Sequence, residues 1–397
     1  MNGKTLDDIE LKGKIVFLRC DLNVPIGNEG KISDKTKILR HKATINELQR
    51  SGAKTVIITH LGRPNGKVVE DLSINVIMEE FAKEMQLSEV TVLPFCNVDI
   101  IKKVVKNMRE GEITFLENIR FYPEEELNDY DFAKELSNIG DIYVNDAFSV
   151  SHRKHVSTYG ITQFIPSFLG RSLQLELEML DKINNNLSKP VMAMVGGSKI
   201  STKINLLKNL LLKVEYLVIG GAMANTFLLA KGYNIGKSLA EKNNVDVAVD
   251  ILKAAEKSKC KILLPKDVTV AENLESIDSI KMVEIENINS NQAIFDIGEK
   301  TIENISNTMA MCKTLFWNGP LGVYEKKPFD NSTNIIGRTA AILTKGKILT
   351  SVVGGGDTVA ALNNAELSGG FSYVSIAGGA LIEWLEGKSL PGLKFLS

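Results

Sequence analysis

Arginine and histidine side chains follow the strand-like segments of the N-terminal half of the chain, at the points where those segments end. The planar fork of an arginine matches the geometry of phosphate and carboxylate groups. In an open parallel sheet, ligands bind beyond the carboxyl ends of the strands. The pattern predicts a site for a small phosphorylated carboxylate, with acceptors for a substrate hydroxyl, although each residue alone could be a capping or solvated side chain. The candidates are Asp21, Asn23, His60, Arg63, Arg120 and Arg153.

Glycine-rich turns follow the strand-like segments of the C-terminal half. One turn reads Gly196-Gly197-Ser198-Lys199, and another reads Gly354-Gly355-Gly356-Asp357-Thr358. Exposed N–H groups at a helix N-terminus bind phosphate. Lys199 and Lys203 are predicted to share one face of the first turn of a helix, and the aspartate of the second turn could hold magnesium. Either turn alone could be structural, but together they predict a nucleotide phosphate site.

Three common ligand-binding motifs are absent from the sequence. The first strand-like segment is followed by Cys20-Asp21-Leu22-Asn23, without the glycines of a dinucleotide fingerprint. Gly236-Lys237-Ser238 is not a Walker A motif, because Lys231 stands where the first glycine of that motif belongs. No Gly-x-Ser-x-Gly nucleophile elbow occurs. The nucleotide site is therefore predicted to lie outside the P-loop class.

Alternating β and α segments must position these residues. Short, nearly continuous apolar runs alternate with helical stretches along the whole chain, which predicts an α/β fold with parallel sheets covered by helices on both faces. One helix is predicted over 34–48 and a longer charged helix over 167–186. The predicted strands are Ile15–Arg19, Thr55–Thr59, Ile113–Leu116, Ile142–Asn145, Val191–Val195, Tyr216–Ile219, Lys261–Leu264, Thr314–Trp317 and Leu349–Val353.

The length of the chain, 397 residues, exceeds that of one ordinary hydrophobic core, so we expect two domains. The polar run Asn184-Asn185-Asn186 and then Pro190 mark the join. We place an N-terminal domain at 1–169, a connecting helix at 170–187 and a C-terminal domain at 188–380.

The composition excludes several classes of protein. Lys+Arg 47 against Asp+Glu 48 leaves a net charge of -1, so no global field attracts nucleic acid or an anionic membrane. Cys20, Cys96, Cys260 and Cys312 form no Cys-x-x-Cys pair, which predicts reduced, mostly buried thiols. The most apolar segment, 217–230, is too short to span a bilayer. The N-terminus lacks the apolar stretch of a signal peptide. These features predict a cytoplasmic location.

Several motifs, in this order, resemble those of phosphoglycerate kinase along nearly the whole chain, and a chance match of so many separated motifs is not expected. They are Asp21-Leu22-Asn23-Val24-Pro25, His60-Leu61-Gly62-Arg63-Pro64, Leu116-Glu117-Asn118 with Arg120-Phe121, Asn145-Asp146-Ala147-Phe148 with His152-Arg153, Trp317-Asn318-Gly319-Pro320, Gly354-Gly355-Gly356-Asp357, and Leu385-Glu386-Gly387-Lys388 with Leu390-Pro391-Gly392.

The resemblance implies two Rossmann-like domains with a cleft between them, and a C-terminal tail, about 381–397, that packs back on the N-terminal domain. It implies reversible phosphoryl transfer between 1,3-bisphosphoglycerate and ADP, giving 3-phosphoglycerate and ATP, with Mg²⁺ as cofactor. Domain closure would bring the two substrates in line, with no covalent enzyme intermediate. We expect a monomer whose partners are small-molecule substrates, not nucleic acid or membrane.

The resemblance also implies roles for residues at matching positions. Those expected to hold phosphoglycerate are Asp21, Asn23, Lys37, His60, Arg63, Arg120 and Arg153. Those expected to hold the nucleotide, with Glu325 at the ribose and Asp357 on magnesium, are Gly197, Lys199, Lys203, Gly221, Asn318, Pro320, Glu325, Gly355, Gly356, Asp357 and Thr358. Those expected to act on the transferred group are Lys37, Lys199, Gly378 and Gly379.

The chain departs from the family pattern around the transferred phosphoryl group. Lys37 stands where the family has an arginine; it keeps the charge but loses the planar fork. Ile376 removes a hydroxyl, and Ala377 stiffens a backbone turn. The main hypothesis is an active kinase, and the alternative is a phosphoglycerate kinase-like binding protein with weakened catalysis. A kinase for another small carboxylate is disfavoured, because the histidine and arginines of the N-terminal half are all present.

Overall fold

The structure is a computed structural model that describes residues 3–27, 31–88, 90–95, 97–185, 188–375 and 377–396. Contacts within the chain divide it into two compact units. The first unit consists of Met1–Lys182 and Ser389–Ser397, and the second consists of Ile183–Lys388. Each unit has its own parallel sheet and its own hydrophobic core.

Six parallel strands form the sheet of the first unit: β1 (Ile15–Arg19), β2 (Lys54–Ile58), β3 (Thr91–Leu93), β4 (Ile113–Leu116), β5 (Ile142–Asn145) and β6 (Ser167–Leu169). Their order is β3-β4-β2-β1-β5-β6. Strands β2, β3 and β4 lie on one side of β1, and strands β5 and β6 lie on the other side. The direction of winding therefore reverses between β1 and β5. The inner strands are buried, as expected for strands between two helix layers.

The helices of the first unit are α1 (Thr36–Arg40), α2 (Lys42–Arg50), α3 (Asn75–Met85), α4 (Val98–Lys106), α5 (Pro123–Leu127), α6 (Tyr130–Ser137) and the start of α7 (Arg171–Asn185). Helices α2 and α3 contribute apolar side chains to one core cluster, and α4 and α6 contribute to another. The final turn, Pro391–Leu396, also belongs to this unit, where Gly392 O accepts a hydrogen bond from Asn145 Nδ2 at 3.0 Å.

The strands of the second unit are β7 (Val191–Val195), β8 (Tyr216–Ile219), β9 (Lys261–Leu263), β10 (Asp267–Ala271), β11 (Lys281–Glu284), β12 (Ala293–Ile297), β13 (Thr314–Asn318), β14 (Thr350–Gly354) and β15 (Tyr373–Ser375). Six of them form a parallel sheet in the order β15-β14-β13-β7-β8-β9, whose winding reverses between β13 and β7. The other three form an antiparallel sheet in the order β11-β10-β12.

The helices of the second unit are α8 (Ile204–Leu211), α9 (Gly221–Ala230), α10 (Val245–Ser258), α11 (Glu299–Met311), α12 (Asn331–Lys345), α13 (Gly356–Asn364) and α14 (Gly378–Leu385). Helix α14, which falls partly within the predicted tail, contacts α8. The chain joins the first unit from Ser389 onwards. No helix among the described residues combines the length and the apolar character needed to cross a membrane.

The parallel α/β architecture is confirmed, and each predicted strand coincides with an observed strand to within one residue at either end. The prediction omitted β3, β6 and β15, which are only three residues long, and the whole antiparallel sheet. The buried, unpaired state predicted for the cysteines is confirmed for Cys20, Cys260 and Cys312. Cys96 lies outside the described residues.

Two helix predictions were wrong in their bounds. The helix predicted over 167–186 begins only at Arg171, because Ser167–Leu169 pairs with β5 as strand β6. The Asp146 carboxylate accepts the Ser172 N–H at 2.8 Å and so fixes the start of the helix. The helix predicted over 34–48 is divided into α1 and α2 at His41.

Candidate active site

Residues of the motifs identified in the sequence lie at the ends of the strands between which each parallel sheet reverses its winding. In the first sheet, Asp21 follows β1 and Asp146 follows β5. In the second, Gly197 follows β7 and Asn318 ends β13. Ligands of doubly wound sheets bind in the crevice at such a reversal. Each unit therefore carries one candidate site where its topology favours one.

The buried Asp21 carboxylate is the centre of the site in the first unit. It accepts hydrogen bonds from Lys37 Nζ at 2.8 Å and from the Ser149 hydroxyl, and its other oxygen accepts the Asn23 N–H at 3.1 Å. Burial raises the pKa of Asp21, but the charge of Lys37 and the hydrogen bonds outweigh burial and hold that pKa below its usual value. Asp21 is therefore ionised and oriented, and Lys37 lies at this site.

The His60 ring is buried, and Arg19, the last residue of β1, sets its orientation. Arg19 Nη2 lies 3.2 Å from His60 Nδ1. A guanidinium only donates hydrogen bonds, so Nδ1 accepts and the ring proton lies on Nε2. Burial and then the charge of Arg19 lower the pKa of His60 well below its usual value. His60 is therefore a neutral donor that can bind an acceptor without changing protonation.

Arg120, which follows β4, contacts the loop that follows β2, and the loop that follows β1 contacts the same residue of that loop, Gly62. Arg120 Nη1 donates to Gly62 O at 2.7 Å, and its Nε lies 3.2 Å from a carboxylate oxygen of Glu126. On the other side, Asn23 Oδ1 accepts the Gly62 N–H at 2.9 Å. The loops after three neighbouring strands are thus held together at Gly62.

Positive charge is concentrated around these loops. Burial and the charges of Arg120 and Arg153 lower the pKa of His155 to about 4. Burial also lowers the pKa of Arg120, and the charges of Arg19 and Arg153 act in the same direction. A region that disfavours the protonation of its own side chains favours negative charge. These loops therefore suit an anion, and Arg63 is exposed on the loop after β2.

Glycine turns at the ends of β7, β8 and β13 pack backbone against backbone in the second unit. A Cβ atom added to Gly196 would lie 1.9 Å from Pro320 O. A Cβ atom added to Gly221, where φ is 64°, would lie 2.7 Å from Gly197 O. Only glycine fits such approaches without displacing the backbone. The close packing brings several backbone N–H groups to one edge of the sheet.

The turns after β13 and β14 are joined by side-chain hydrogen bonds. Asn318 Nδ2 donates to Gly354 O at 3.0 Å, and the Thr358 hydroxyl accepts the Gly319 N–H at 2.6 Å. Gly355 adopts a φ of 99° immediately before α13. These contacts place the N-terminus of α13 beside the end of β13, where its N–H groups can bind phosphate.

Lys203 connects the turn after β7 to β13. Its Nζ donates to Gly196 O at 2.8 Å and to Asn318 Oδ1 at 2.7 Å. Burial lowers the pKa of Lys203 to about 8, and the nearby Asp357 carboxylate opposes this shift only in part. Lys203 forms no ion pair with a residue that the structure describes, so this buried side chain is suited to an anionic ligand, whose charge would favour its protonated form.

A cavity of about 870 Å³ opens beside these turns, a size typical of a small-molecule site. The exposed surface of its walls is mostly apolar, which suits a flat ring. Strand β12 of the antiparallel sheet supplies Phe295 to one wall. The predicted residues that line it are Gly197, Gly221, Pro320, Glu325 and Asp357, and apolar lining residues include Leu239, Leu321 and Val323.

Asp357 has the properties of a magnesium ligand. It lies in the first turn of α13, is exposed and lines the cavity. Its carboxylate makes no hydrogen bond or ion pair with another residue that the structure describes. Magnesium in nucleotide sites is held by one or two carboxylates together with phosphate oxygens and water. The residue therefore fits a magnesium ion that is shared with a nucleotide.

A sequence profile of phosphoglycerate kinase matches residues 6–388, nearly the whole chain. The chain belongs to the phosphoglycerate kinase family. The phosphoglycerate kinase of Cereibacter sphaeroides (strain ATCC 17025 / ATH 2.4.3) is 45% identical over 397 residues, which is 100% of both chains. That of Rhizobium meliloti (strain 1021) is 47% identical over 397 residues, 100% of this chain and 99% of the relative.

Solved structures of the family agree with this assignment. Phosphoglycerate kinase from Coxiella burnetii matches with a TM-score of 0.89 at 37% identity, over 100% of this chain and 99% of the other. Phosphoglycerate kinase from Pyrococcus horikoshii OT3 matches with a TM-score of 0.83 at 28% identity, over 99% and 98%. These relatives carry the name of the kinase, and none of them supports the alternative of a binding protein with weakened catalysis.

One predicted feature of the phosphoglycerate kinase nucleotide site was wrong. Lys199 does not share the first turn of a helix with Lys203, because α8 begins only at Ile204 and residues before it form turns. Glu241 holds this segment by accepting the Ser201 N–H at 2.9 Å and the Ser201 hydroxyl at 2.6 Å. Lys199 is exposed, away from the contacts of Lys203.

The segment expected at the transferred group of a phosphoglycerate kinase is described in part. Gly378 and Gly379 open helix α14, and Ala377 before them is buried, with its N–H donating to the Ser375 hydroxyl at 3.2 Å. Ile376 lies outside the described residues.

Sequence reasoning missed several residues of the phosphoglycerate kinase site. Arg19 is 1% exposed and orients His60. The sequence feature that could have indicated this residue is a charged side chain at the last position of an otherwise apolar strand. Ser149 was not assigned to the site, because its contact with Asp21 joins residues far apart in the sequence. Phe295 belongs to the antiparallel sheet, which was not predicted.

Proposed function

We propose that this phosphoglycerate kinase family member transfers a phosphoryl group reversibly from 1,3-bisphosphoglycerate to ADP, giving 3-phosphoglycerate and ATP. The observation that carries the proposal is the positive cluster around neutral His60 and ionised Asp21, in a chain whose other unit has a cavity beside glycine turns. The positive cluster suits a phosphorylated carboxylate, and the cavity suits a nucleotide.

Phosphoglycerate binding is assigned to the loops after β1, β2, β4 and β5. The guanidinium groups of Arg63, Arg120 and Arg153 would bind its phosphate and carboxylate. His60 would donate from Nε2, since Arg19 fixes the proton there. Asp21 would accept the substrate hydroxyl, with Asn23 beside it.

Nucleotide binding is assigned to the second unit. The apolar cavity would hold the base, and Glu325 on its wall would bind the ribose hydroxyls. Lys203 and backbone N–H groups at the N-terminus of α13, those of its cap residue Gly355 and its first residue Gly356, would bind the phosphates. Thr358 already accepts a backbone hydrogen bond and so orients this turn.

We propose that Asp357 holds a Mg²⁺ ion that arrives with the nucleotide. When bound, magnesium neutralises phosphate charge that would otherwise repel the incoming group. Asp357 contributes one exposed carboxylate beside the cavity, and the remaining ligands would be phosphate oxygens and water.

The transfer step needs positioning and charge stabilisation rather than a nucleophile on the protein. A terminal oxygen of ADP bonds to phosphorus as the acyl phosphate bond breaks, and the carboxylate of 3-phosphoglycerate leaves. Lys37, Lys199 and the N–H groups of Gly378 and Gly379 would stabilise the charge on the phosphoryl group in transit. Domain closure is part of this proposal, and small-angle scattering with and without both substrates tests it.

The setting of the enzyme is also a proposal. We infer that phosphoglycerate belongs to a domain at 1–169 and the nucleotide to a domain at 188–380, with 170–187 between them. The three cysteines that the structure describes, Cys20, Cys260 and Cys312, are buried free thiols, which suits a reducing compartment such as the cytoplasm. The proposed monomeric state is tested by light scattering on the purified protein.

A coupled assay for ATP formation from 1,3-bisphosphoglycerate and ADP tests the proposed reaction. We expect magnesium-dependent turnover in the range of about 1–100 s⁻¹ that is usual for kinases. Asp357→Asn should lower that turnover at least several-fold, because it removes the charge proposed to hold magnesium. Asp250→Asn, which neutralises an exposed carboxylate on α10, is the control and should change little. A folded parent chain that binds both substrates without turnover would contradict the proposal.

A further inference from the structure

Lys37 in α1 and His41, the residue that caps the C-terminus of α1, contact Asp21 from two directions. They lie four residues apart, and the His41 backbone keeps helical dihedral angles, so both side chains are on the same side. Lys37 donates to the Asp21 carboxylate at 2.8 Å, and His41 Nε2 accepts the backbone N–H of Asp21 at 3.1 Å. Helix α1 and its C-cap residue therefore contact both the side chain and the main chain of the residue assigned to the substrate hydroxyl.

Asp146 holds the other side of the His41 ring. Asp146 Oδ2 lies 2.7 Å from His41 Nδ1, and both residues are buried, at 1% and 2% exposure. The second oxygen, Oδ1, accepts the N–H groups of Ser172 and Leu173 at the start of α7, at 2.8 and 3.3 Å. Both oxygens of this carboxylate are thus engaged.

The hydrogen bonds define where the proton of His41 lies. His41 Nε2 lies 3.1 Å from the Asp21 nitrogen and 3.3 Å from the Asp21 carbonyl oxygen. The hydrogen of the Asp21 N–H is fixed by the backbone and points at Nε2, so the shorter contact assigns a lone pair to Nε2 and the proton to Nδ1, facing Asp146. Burial lowers the pKa of His41, whereas a Cys20 thiolate and the Asp146 carboxylate together raise it well above its usual value. Burial also raises the pKa of the Cys20 thiol, so at neutral pH that thiol is uncharged. The largest cause that would raise the pKa of His41 is therefore missing at neutral pH, and burial favours the neutral ring.

The same three side chains could be taken for a metal site, since potential ligand atoms of Cys20, His41 and Asp146 lie within 4.8 Å of one another. Each nitrogen of His41 and each oxygen of Asp146 already has a hydrogen-bond partner, however. The cluster is therefore complete as a hydrogen-bonded network without an ion.

We propose that His41, oriented by Asp146, is a positioning residue for the kinase reaction: it fixes the main chain of Asp21 so that the Asp21 carboxylate and Lys37 are held ready for phosphoglycerate. The proposal rests on the proposed function for the role of Asp21, but its geometry is independent of turnover. His41 touches no substrate in this assignment and acts only through Asp21.

Nitrogen NMR on the full chain, labelled selectively at histidine, tests the geometry directly. The chain has only four histidines, so the signals can be assigned with one variant for each. In the parent protein at neutral pH we expect His41 with its proton on Nδ1 and none on Nε2. A proton on Nε2, in the other tautomer or in a charged ring, would overturn the proposal.

Asp146→Asn should disturb this arrangement for a stereochemical reason. An asparagine must present its NH₂ group to one of two partners. If the NH₂ group faces His41, the ring proton must lie on Nε2, where it meets the Asp21 N–H. If the NH₂ group faces α7, the N-terminus of that helix has no acceptor. We expect a changed His41 tautomer or a lost α7 contact, together with a KM for 3-phosphoglycerate raised several-fold.

His41→Ala gives the kinetic test, and Thr44→Ala is its matched control. Thr44 lies three residues further on, is fully buried, and its hydroxyl accepts the Arg171 N–H at 2.8 Å without contact to Asp21. A displaced Asp21 should raise the KM for 3-phosphoglycerate about tenfold or more in His41→Ala, since small misplacements at a site are costly. The KM for ATP should stay within about twofold, which is our criterion for no change. Thr44→Ala should leave both values unchanged.

The outcomes separate the two proposals. An equal rise in the KM for 3-phosphoglycerate in both variants would mean that His41 only stabilises the fold, and would overturn its positioning role. A parent chain that has the expected His41 tautomer but no kinase activity would overturn the proposed function and leave the geometry supported. In that case, calorimetric titration measures how His41→Ala changes the affinity for 3-phosphoglycerate, because this measurement does not require turnover.

Discussion

The ion pair between Lys37 and buried Asp21 determines what a lysine contributes at this position. The ammonium is 26% exposed and lies 2.8 Å from the carboxylate. It can therefore serve both the substrate site and, as the resemblance implies, the transferred phosphoryl group. A guanidinium would offer two parallel hydrogen bonds, whereas the ammonium offers a point charge.

Lys37→Ala should nearly abolish turnover while changing the affinity for 3-phosphoglycerate little. Loss of a cation at a transferred phosphoryl group can cost about 10³-fold or more in rate, as arginine fingers show. Lys37→Arg should match or exceed the parent. Lys35→Ala, which removes an exposed lysine paired with Glu80, is the control in steady-state kinetics. Turnover of Lys37→Ala at the parent rate would show that Lys37 serves only as the partner of Asp21.

We expect Lys203 to make nucleotide binding dependent on pH. Its pKa is about 8 in the free protein because burial lowers it, and bound phosphates would raise it. Binding should then take up a proton above pH 8, so affinity for magnesium nucleotide should fall as pH rises past about 8, by up to tenfold per pH unit. Calorimetry across this range in buffers of different ionisation enthalpy measures both effects. Lys203→Met should bind weakly and without this dependence; an unchanged pH slope in the variant would assign the effect to another group.

At the scale of elements, the sites lie where glycine turns and short loops bring strand ends together. Gly221 illustrates this, because its φ of 64° disfavours any other residue and a Cβ atom added to it would lie 2.7 Å from Gly197 O. The turn after β8 is thereby packed against the turn after β7, on the wall of the nucleotide cavity.

Gly221→Ala should weaken magnesium nucleotide binding about tenfold or more, because the added methyl group must displace the backbone of Gly197. Gly232→Ala is the matched control: its φ is 86°, but an added Cβ would meet nothing within 4 Å. Both variants should lose about 1 kcal/mol or more of stability through left-handed strain. Only Gly221→Ala should lose nucleotide affinity in calorimetry. Equal affinity in the two variants would show that the close approach of the turns is not needed for binding.

The sequence was sufficient to predict the long buried strands and the polar residues at their ends, because continuous apolar runs and strand-end patterns are local signals. It was not sufficient for β3, β6 and β15, which are too short to show a period, or for the antiparallel sheet with β11, whose residues are partly exposed. Lys199 was misplaced because the contact that prevents an early helix, Ser201 with Glu241, spans distant residues. Arg19, Ser149 and His41 depend on such distant contacts as well.

At the scale of the whole molecule, each unit has one parallel sheet with one reversal of winding, and the two reversals carry different chemistry. Arginines and histidines collect at the first, and glycine turns with Lys203 and Asp357 collect at the second. A kinase that transfers a group between two separately bound substrates is expected to have this division of binding residues.

A crossed calorimetric titration of the full chain tests this division most directly. Arg63→Ala and Asp357→Asn each change an exposed residue, so their folds should be preserved. We expect Arg63→Ala to weaken 3-phosphoglycerate about tenfold or more through the loss of a charged hydrogen bond, and to leave magnesium nucleotide unchanged. Asp357→Asn should weaken the binding of magnesium nucleotide and leave that of 3-phosphoglycerate unchanged. Arg50→Ala, which removes an exposed arginine on α2, should change the affinity for neither ligand. The opposite assignment, or equal losses of both ligands in both variants, would contradict two separate sites with these residues.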